Sequence, residues 1–576
     1  MRSKTEIDFP QYFCYNCGSL IHTKMTAKSR KQVAYFSMEF AVDARFPNFA
    51  GGLGVLASDI TKSAADMGAP FVGVSLIYHQ HDDMEEAFPI EKFMKRRSET
   101  ITLRIQDRDV TVCAYEYTVK SHTGNSVPIF FLSTHTPENP EWDRDLTKHL
   151  YASDQYTRIC QEAILGIGGV RMLRALGYQD IDVFHMNEGH AAFLTLEVLR
   201  ENGFDDAKTK AMCTFTTHTP IPAGHDAFDY GAVEDILGDL VPWHIRDLAT
   251  HDRLSMTHLA MNLSKASNSV SEKHQQVCEE MFPQHDFLNV TNGIHHVTWA
   301  SKPMAEVLDK HLKGWKDDPE LLAQAEKALP DKDVLAAHAK NKKEFIAWIN
   351  ANRDFFPIKT RMDDDDYFKE DVLTITFARR FVHYKRPWLI FQDIDRLRDI
   401  GHRKLQLIFA GRCHPDNHAC LDLKKLLRHY GRRLRGQVRV AVVRDYEMDI
   451  AAKLVSGSDV WLNNPIKPRE ASGTSGMKAA LNGLPNLSIL DGWWDEGFAM
   501  SKQAGWGFGE RSNFAREDSA RDRIDSDELY EYLEDVIEDY GKGPKTWVKR
   551  MKASIALVGH FNTNRVVDEY YEKLWS

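Results

Sequence analysis

The chain alternates short apolar runs with polar, glycine-punctuated turns and helical repeats, and it does so in two separate stretches. In the first, residues 181–185 are a short apolar run, Asn187-Glu-Gly-His190 is a turn, and an apolar helical repeat covers 191–199 until Asn202-Gly203 stops it. That order predicts a strand–turn–helix unit closed by glycine. Residues 211–217 predict another buried strand, which leads into the loop His218-Thr-Pro-Ile-Pro-Ala-Gly224.

The second stretch repeats this logic. Residues 372–377 are rich in β-branched side chains and predict a strand; Arg379-Arg-Phe-Val-His-Tyr-Lys-Arg386 follows, and Pro387 is placed to open a helix at its first turn. Further strands are predicted at 405–410, 438–443 and 460–462, with a helix over 448–456. Polar and glycine-rich motifs come just after the carboxyl ends of these strands, the edge at which open α/β sheets bind ligands. Between the two stretches lie a charged helical segment at 302–352 and a polar linker with four aspartates at 363–366, most simply a solvated run. A hinge is expected near Asn292-Gly293, and the amphipathic, aromatic-rich segment 547–575 is expected to dock on the body.

Length and charge narrow the function classes. A chain of 576 residues calls for two large domains or several smaller ones. With 43% hydrophobic and 27% charged residues it has the composition of a globular enzyme. A net charge of -10 argues against a general nucleic-acid or membrane-surface binder, because phosphate backbones need a basic face. No signal-peptide core opens the sequence, no apolar run reaches membrane-spanning length, and eight scattered cysteines do not form a disulfide framework. A cytoplasmic protein is expected. Cys14-x-x-Cys17, with His22 nearby, lacks the second ligand pair that a zinc site needs, so no metal is expected.

The candidate chemistry is concentrated in a few motifs. In Glu470-Ala-Ser-Gly-Thr-Ser-Gly-Met-Lys478, small residues precede an apolar helix start, where free backbone N–H groups and the helix dipole favour an anion. Lys478 just inside that start suits imine formation if it is partly desolvated; the other reading is a lysine exposed on a helix after a glycine-rich turn. The cluster at 379–386 carries four cations in eight residues, either a basic pocket for phosphate or a solvated face. Ala50-Gly-Gly-Leu-Gly54 is a flexible turn whose backbone can approach a ligand. Asp491-Gly-Trp-Trp-Asp-Glu-Gly497 pairs aromatics with acids, which suits sugar binding or simply a cleft wall with buried tryptophans.

The stretch from Glu470 to Lys478, followed by Asn482-Gly483, resembles the pyridoxal-phosphate lysine signature of the α-glucan (glycogen, starch and maltodextrin) phosphorylase family. The other motifs resemble the same family in the same order, and Phe561-Asn-Thr-Asn-Arg565 resembles its short bacterial and archaeal branch. The resemblance implies an α/β fold of two facing Rossmann-like domains, the GT-B glycosyltransferase architecture, with the active site in the cleft between them. The implied division is a first domain over 1–300, a second over 301–555, and a C-terminal helix at 556–576. It implies retaining phosphorolysis of a linear α-1,4-glucan (glycogen, starch or maltodextrin) by inorganic phosphate to α-D-glucose 1-phosphate.

The resemblance also assigns roles. Lys478 holds pyridoxal 5'-phosphate, whose phosphate rather than ring takes part, with Thr474, Ser475 and Gly476 cradling it. Ser475-Gly476 stands where many longer members have Gly-Asn, which puts individual hydrogen bonds in question. His190 and Tyr446 match positions beside the cofactor, although Tyr446 alone reads equally as a core tyrosine. Arg380 and Lys385 match the residues on the substrate phosphate, with Arg379 lining the pocket and Arg386 structural. Gly52 and Leu53 match the loop over sugar and phosphate, and Glu39 a nearby acidic position. His218 and Asn292 match residues on the transferred glucose, and Glu470, Ser472 and Gly473 further substrate contacts. Homo-oligomers are common in the family; no nucleic acid or membrane is implied.

A retaining nucleotide-sugar glucosyltransferase of the glycogen-synthase type is the main alternative, sharing the architecture and a basic pair but having no use for an imine-forming lysine at 478. A non-catalytic glucan-binding homologue should have lost Lys478, Arg380 or Lys385, and all three are present.

Overall fold

Leu-Thr-Ile-Thr-Phe-Ala at Leu373–Ala378 is buried at every position, and Leu405–Ala410 is buried at every position as well. Such runs belong in parallel strands covered on both faces, where even Thr374, Thr376 and Gln406 are buried. The computed structural model describes residues 30–46, 48–79, 88–352, 367–411, 418–443 and 447–576. Cys14, Cys17, the aspartate run at 363–366 and Tyr446 lie outside the described residues.

In chain order the strands are β1 (Val33–Ser37), β2 (Phe71–Leu76), β3 (Lys95–Ile105), β4 (Arg108–Lys120), β5 (Ser126–Ser133), β6 (Val183–Asn187), β7 (Cys213–Thr216), β8 (Ala227–Phe228), β9 (Leu254–Ser255), β10 (Ala266–Ser269) and β11 (Phe287–Asn289). They continue as β12 (Leu373–Ala378), β13 (Leu405–Ala410), β14 (Arg439–Val443), β15 (Val460–Asn463), β16 (Asn486–Ile489) and β17 (Gly505–Phe508). The first sheet has the order β11-β10-β7-β6-β1-β2-β5-β4-β3. It is parallel except at β4, which runs antiparallel to both neighbours. The second sheet is β14-β13-β12-β15-β16-β17, parallel at every pair. Numbered from its own first strand it reads 3-2-1-4-5-6, the Rossmann order. Two largely parallel sheets, each wound with helices, give the two-domain α/β architecture of the GT-B type.

Three local expectations are corrected. The predicted helix at Pro387 is replaced by single tight turns at His383–Lys385 and Leu389–Phe391, and the helix begins only at Ile394, capped by Asp393. Leu389, Ile390 and Phe391 are consecutive and all buried, so they fill an interior turn and present no helical stripe. The strand expected from 211 begins at Cys213, because the Asp205 side chain accepts from Lys208 N and caps a helix over Asp206–Met212. The glycine turn at 50–54 becomes the start of a helix, Gly52–Asp66.

The C-terminal segment returns to the first sheet. Val566, Tyr570 and Trp575 pack in one core with Val33 and Phe71, and the Trp575 indole donates to His185 Nδ1 at 3.1 Å. Among the described residues no helix is long and apolar enough to cross a membrane.

Candidate active site

Each sheet has a switch point, where successive strands are laid down on opposite sides of the first strand, and loops leaving the carboxyl ends there diverge to leave a crevice. In the second sheet that point lies between β12 and β15. β12 runs directly into Arg379 and Arg380, and β15 leads to the loop carrying Glu470. Glu470 is buried, and its two oxygens accept from Arg379 Nη2 at 2.6 Å and from Lys385 Nζ. Burial alone would raise its pKa; the guanidinium of Arg379 and the ammonium of Lys385 outweigh this and hold it at about 2. Behind it Asp491 accepts from the Glu470 backbone N–H at 2.9 Å; burial pushes that carboxyl up to about 7, with the Glu470 charge adding to the effect. Gly473 holds φ +80 and a Cβ there would lie 2.8 Å from Glu470 Oε1, so the loop can pass the carboxylate only as glycine.

Arg380 differs from its neighbours. Solvent reaches it, and among the described residues it forms no salt bridge, although Tyr384, Glu39 and Tyr151 surround it. A Cβ on Gly51 would lie 3.6 Å from Arg380 Cδ, so the glycine loop of the first half faces this arginine. Gly52 is exposed and Leu53 half-buried on the same loop. Glu39, which follows β1, ties the loop down: its Oε2 accepts from Ala50 N at 2.9 Å and Gly51 N at 3.3 Å, and its Oε1 accepts from the Tyr151 hydroxyl.

The switch point of the first sheet lies between β1 and β6. β6 ends at Asn187, whose Oδ1 meets His218 Nε2 at 2.7 Å, while Glu188 accepts from the backbone N–H of His218 at 2.8 Å. Burial holds the His218 imidazole at about 4, against the pull of Glu188, so it is neutral at neutral pH. His190 lies 3.6 Å from Asp226 through Nε2. Burial and then Arg158 lower its pKa, and Nδ1 has no partner among the described residues.

Lys478 lies on the short helix Ser475–Leu481, whose first intrahelical bond runs from Lys478 N to Thr474 O at 3.3 Å. The amides of Ser475 and Gly476 therefore precede the helical ladder. The Lys478 amine lies 3.9 Å from the centroid of Trp299 and, among the described residues, has no hydrogen bond or salt bridge. Burial pulls it down to about 8, with Asp59 opposing and Lys62 assisting. An amine that is buried, unpaired among the described residues and easier to deprotonate than an ordinary lysine fits an aldehyde cofactor. Ser475 Oγ accepts from the Trp461 indole at 3.2 Å, which leaves its own proton to donate.

Two buried polar atoms on opposite halves have no partner among the described residues: Asn292 Oδ1, just past β11, and Ser472 Oγ, in the loop before Lys478. Buried polar atoms are rarely left unpaired without a reason, and both belong to the predicted substrate set. His218 instead is tied by hydrogen bonds to Asn187 and Glu188, and His190 lies against Asp226 with its Nδ1 unpartnered among the described residues. Sequence reasoning did not find Trp299, Asp59, Tyr151, Arg158 or Thr291, which meet the site only through tertiary contacts. The nearest signal was the run leading from Asn292 to Trp299.

Known proteins resemble this chain over most of its length. A family model described as carbohydrate phosphorylase matches residues 240–496, and one described as starch synthase catalytic domain matches residues 33–290. The chain is 35% identical to the maltodextrin phosphorylase of Thermococcus litoralis, over 95% of this chain and 71% of that protein. It is 30% identical to the glycogen phosphorylase of Aquifex aeolicus, over 98% and 89%, and 33% identical to the glycogen phosphorylase of Mycobacterium tuberculosis, over 94% and 70%. Similarity of this extent covers both sheets and the lysine loop together: the chain belongs to the carbohydrate phosphorylase family.

Proposed function

We propose that this protein is an α-1,4-glucan phosphorylase that transfers the terminal glucosyl unit of a linear glucan to inorganic phosphate and releases α-D-glucose 1-phosphate. The observation that carries the reading is the buried amine of Lys478, unpaired among the described residues, on the helix that follows the loop carrying Glu470. Glycogen and maltodextrin phosphorylases are its relatives, so a glucan and phosphate are its substrates.

In the mechanism we derive, the terminal glucose lies between Asn292 and His218 on one side and Glu470, Ser472 and Gly473 on the other. Neutral His218, fixed by Asn187, offers hydrogen bonds without adding charge. Phosphate binds at Arg380, with Gly52 and Leu53 closing over it. Arg379, Arg380 and Lys385 carry three positive charges against the single one of Glu470, which leaves a surplus of two for a phosphate dianion. Glu470 is held ionised by two cations and Asp491 is occupied by two backbone N–H groups, so neither is free to act as the carboxylate nucleophile of a retaining hydrolase. Phosphate fills both roles: it protonates the leaving glycosidic oxygen and then attacks the oxocarbenium-like carbon from the same face. Lys478, Thr474, Ser475, Gly476 and His190 would hold pyridoxal phosphate. When bound, that cofactor supplies a second phosphoryl group, with a pKa near neutrality, to exchange a proton with the substrate phosphate. Water has to be kept from the bound sugar during transfer, because it would otherwise release free glucose.

The starch-synthase match over the first half favours one other reading, sugar transfer from a nucleotide donor. A single assay separates them. Glucan with phosphate should give glucose 1-phosphate, and nucleotide-glucose with glucan should give no chain growth. The opposite pattern would replace this reading with the synthase one.

A further inference from the structure

Helix Trp493–Met500 belongs to the second half of the chain, yet among the described residues the Glu496 side chain bonds only to the first half. The carboxylate accepts from the Thr291 hydroxyl at 2.8 Å and 3.0 Å and from the backbone N–H of Glu272 at 3.0 Å. Glu272 opens the ten-residue helix Glu272–Met281, so a carboxylate from across the cleft occupies one of the N–H groups that helix leaves unpaired. Ser271, the cap of that helix, accepts from His274 N at 3.0 Å and donates to the carbonyl of Ala471 at 2.6 Å. One helix start therefore touches two parts of the second half, and Ala471 lies between Glu470 and Ser472 in the proposed substrate loop.

Thr291 in turn precedes Asn292. The Asn292 N–H donates to Val270 O at 3.1 Å, and Arg565 from the C-terminal helix Thr563–Glu569 donates to the Thr291 carbonyl and, at 3.4 Å, to that of Asn292. A Cβ on Gly293 would lie 2.3 Å from the backbone of Asn562, so the C-terminal segment presses on this loop from one side while Glu496 holds it from the other. The side-chain oxygen of Asn292 has no partner among the described residues.

We propose that Glu496 is a positioning residue of the reaction: bonded to Thr291 and the Glu272 amide, it registers Asn292 against the loop Glu470–Gly473 so that the two halves grip one glucosyl unit. It touches no reacting group, and it acts through Thr291 and through the helix start that Ser271 links to Ala471. The proposal rests on the phosphorylase reading for its kinetic consequences but not for its structural one.

The test uses the intact protein and Glu496→Ala, Glu496→Gln, Thr291→Val and the double variant Glu496→Ala/Thr291→Val. Glu496→Ala should lower kcat/KM for the glucan about tenfold, the range expected when buried donors lose their partner. Most of that loss should appear in KM for the glucan and little in KM for phosphate. Glu496→Gln, which keeps an acceptor, should recover most of it, and the double variant should be no worse than Glu496→Ala alone. Independently of activity, Glu496→Ala should speed amide hydrogen exchange at 271–274 and 290–294 while leaving the second sheet protected. Additive effects, an equal loss in Glu496→Gln, or unchanged exchange in those two segments would overturn the proposal. A wild-type protein without phosphorolysis would instead overturn the functional reading, and the exchange comparison would then decide on Glu496 alone.

Discussion

Lys478 and Trp299 meet across the two halves of the chain, the amine 3.9 Å from the indole centroid. The indole nitrogen of Trp299 donates to Asp59 at 2.8 Å, so the ring cannot swing away, and Asn482 ties the lysine's own helix to the Trp299 carbonyl at 2.9 Å. The ring face and the charge of Asp59 favour the ammonium, but burial outweighs both. The lysine is thus held in place with an amine that gives up its proton more readily than an ordinary lysine.

A stability profile follows from that state. An amine lowered from 10.5 to about 8 is disfavoured as a cation in the folded protein, so the unfolded chain binds more protons between those values. Cofactor-free protein should therefore gain stability as pH rises from about 8 to about 10.5, with the penalty fully present below that window. Lys478→Met should flatten this limb, measured as Tm against pH for both proteins.

Glu470 has the opposite sign. Its folded pKa of about 2 lies below the ordinary 4.5, so its stabilisation is complete above about 4.5 and is lost as pH falls toward 2. Glu470→Gln should flatten that acid limb. It should also destabilise the protein by about 3 kcal/mol at neutral pH, because Arg379 and Lys385 lose a buried partner. Chemical denaturation at pH 7 and pH 3 measures both effects.

Arg380 and Arg379 should separate kinetically. Arg380→Ala removes the cation that pairs with no carboxylate among the described residues, and KM for phosphate should rise by about tenfold to a hundredfold with little change for the glucan. Arg379→Ala strips Glu470 of one partner and should weaken glucan and phosphate together. Initial rates with each substrate varied in turn give the comparison.

Arg386 offers a control in the same motif. It is fully buried and pairs with Asp522 at 3.0 Å and Asp525 at 2.7 Å. Arg386→Met should cost about 3 kcal/mol of stability by stranding those carboxylates, while the KM values of the folded fraction stay unchanged.

Gly473→Ala tests the loop. With φ +80 and only 2.8 Å from its Cβ position to Glu470 Oε1, the substitution should displace that carboxylate and lower kcat/KM about tenfold without unfolding the protein. The thermal transition and initial rates report the two effects separately.

What the sequence made legible follows from burial. Strands β12, β13, β15 and β6 are buried on both faces and could be read to within one or two residues. The edge strand β3, Lys-Arg-Arg-Ser-Glu-Thr-Ile-Thr-Leu-Arg-Ile, is largely solvent-facing, and its pairing with β4 depends on partners that no local pattern names. The motif residues were legible as chemistry because glycines, cations and a lysine cluster after strand ends. The pairing of Glu470 with Arg379 and Lys385 was not, since it joins positions 91 and 85 residues apart. Trp299 under Lys478 was hidden for the same reason.

The anchoring of a cofactor at one amine is tested most directly by reducing the purified protein with borohydride and mapping its peptides by mass. A pyridoxyl phosphate group on Lys478 and on no other lysine, absent from Lys478→Arg, is the predicted result. An unmodified Lys478 in protein that still forms glucose 1-phosphate from glucan and phosphate would contradict the account.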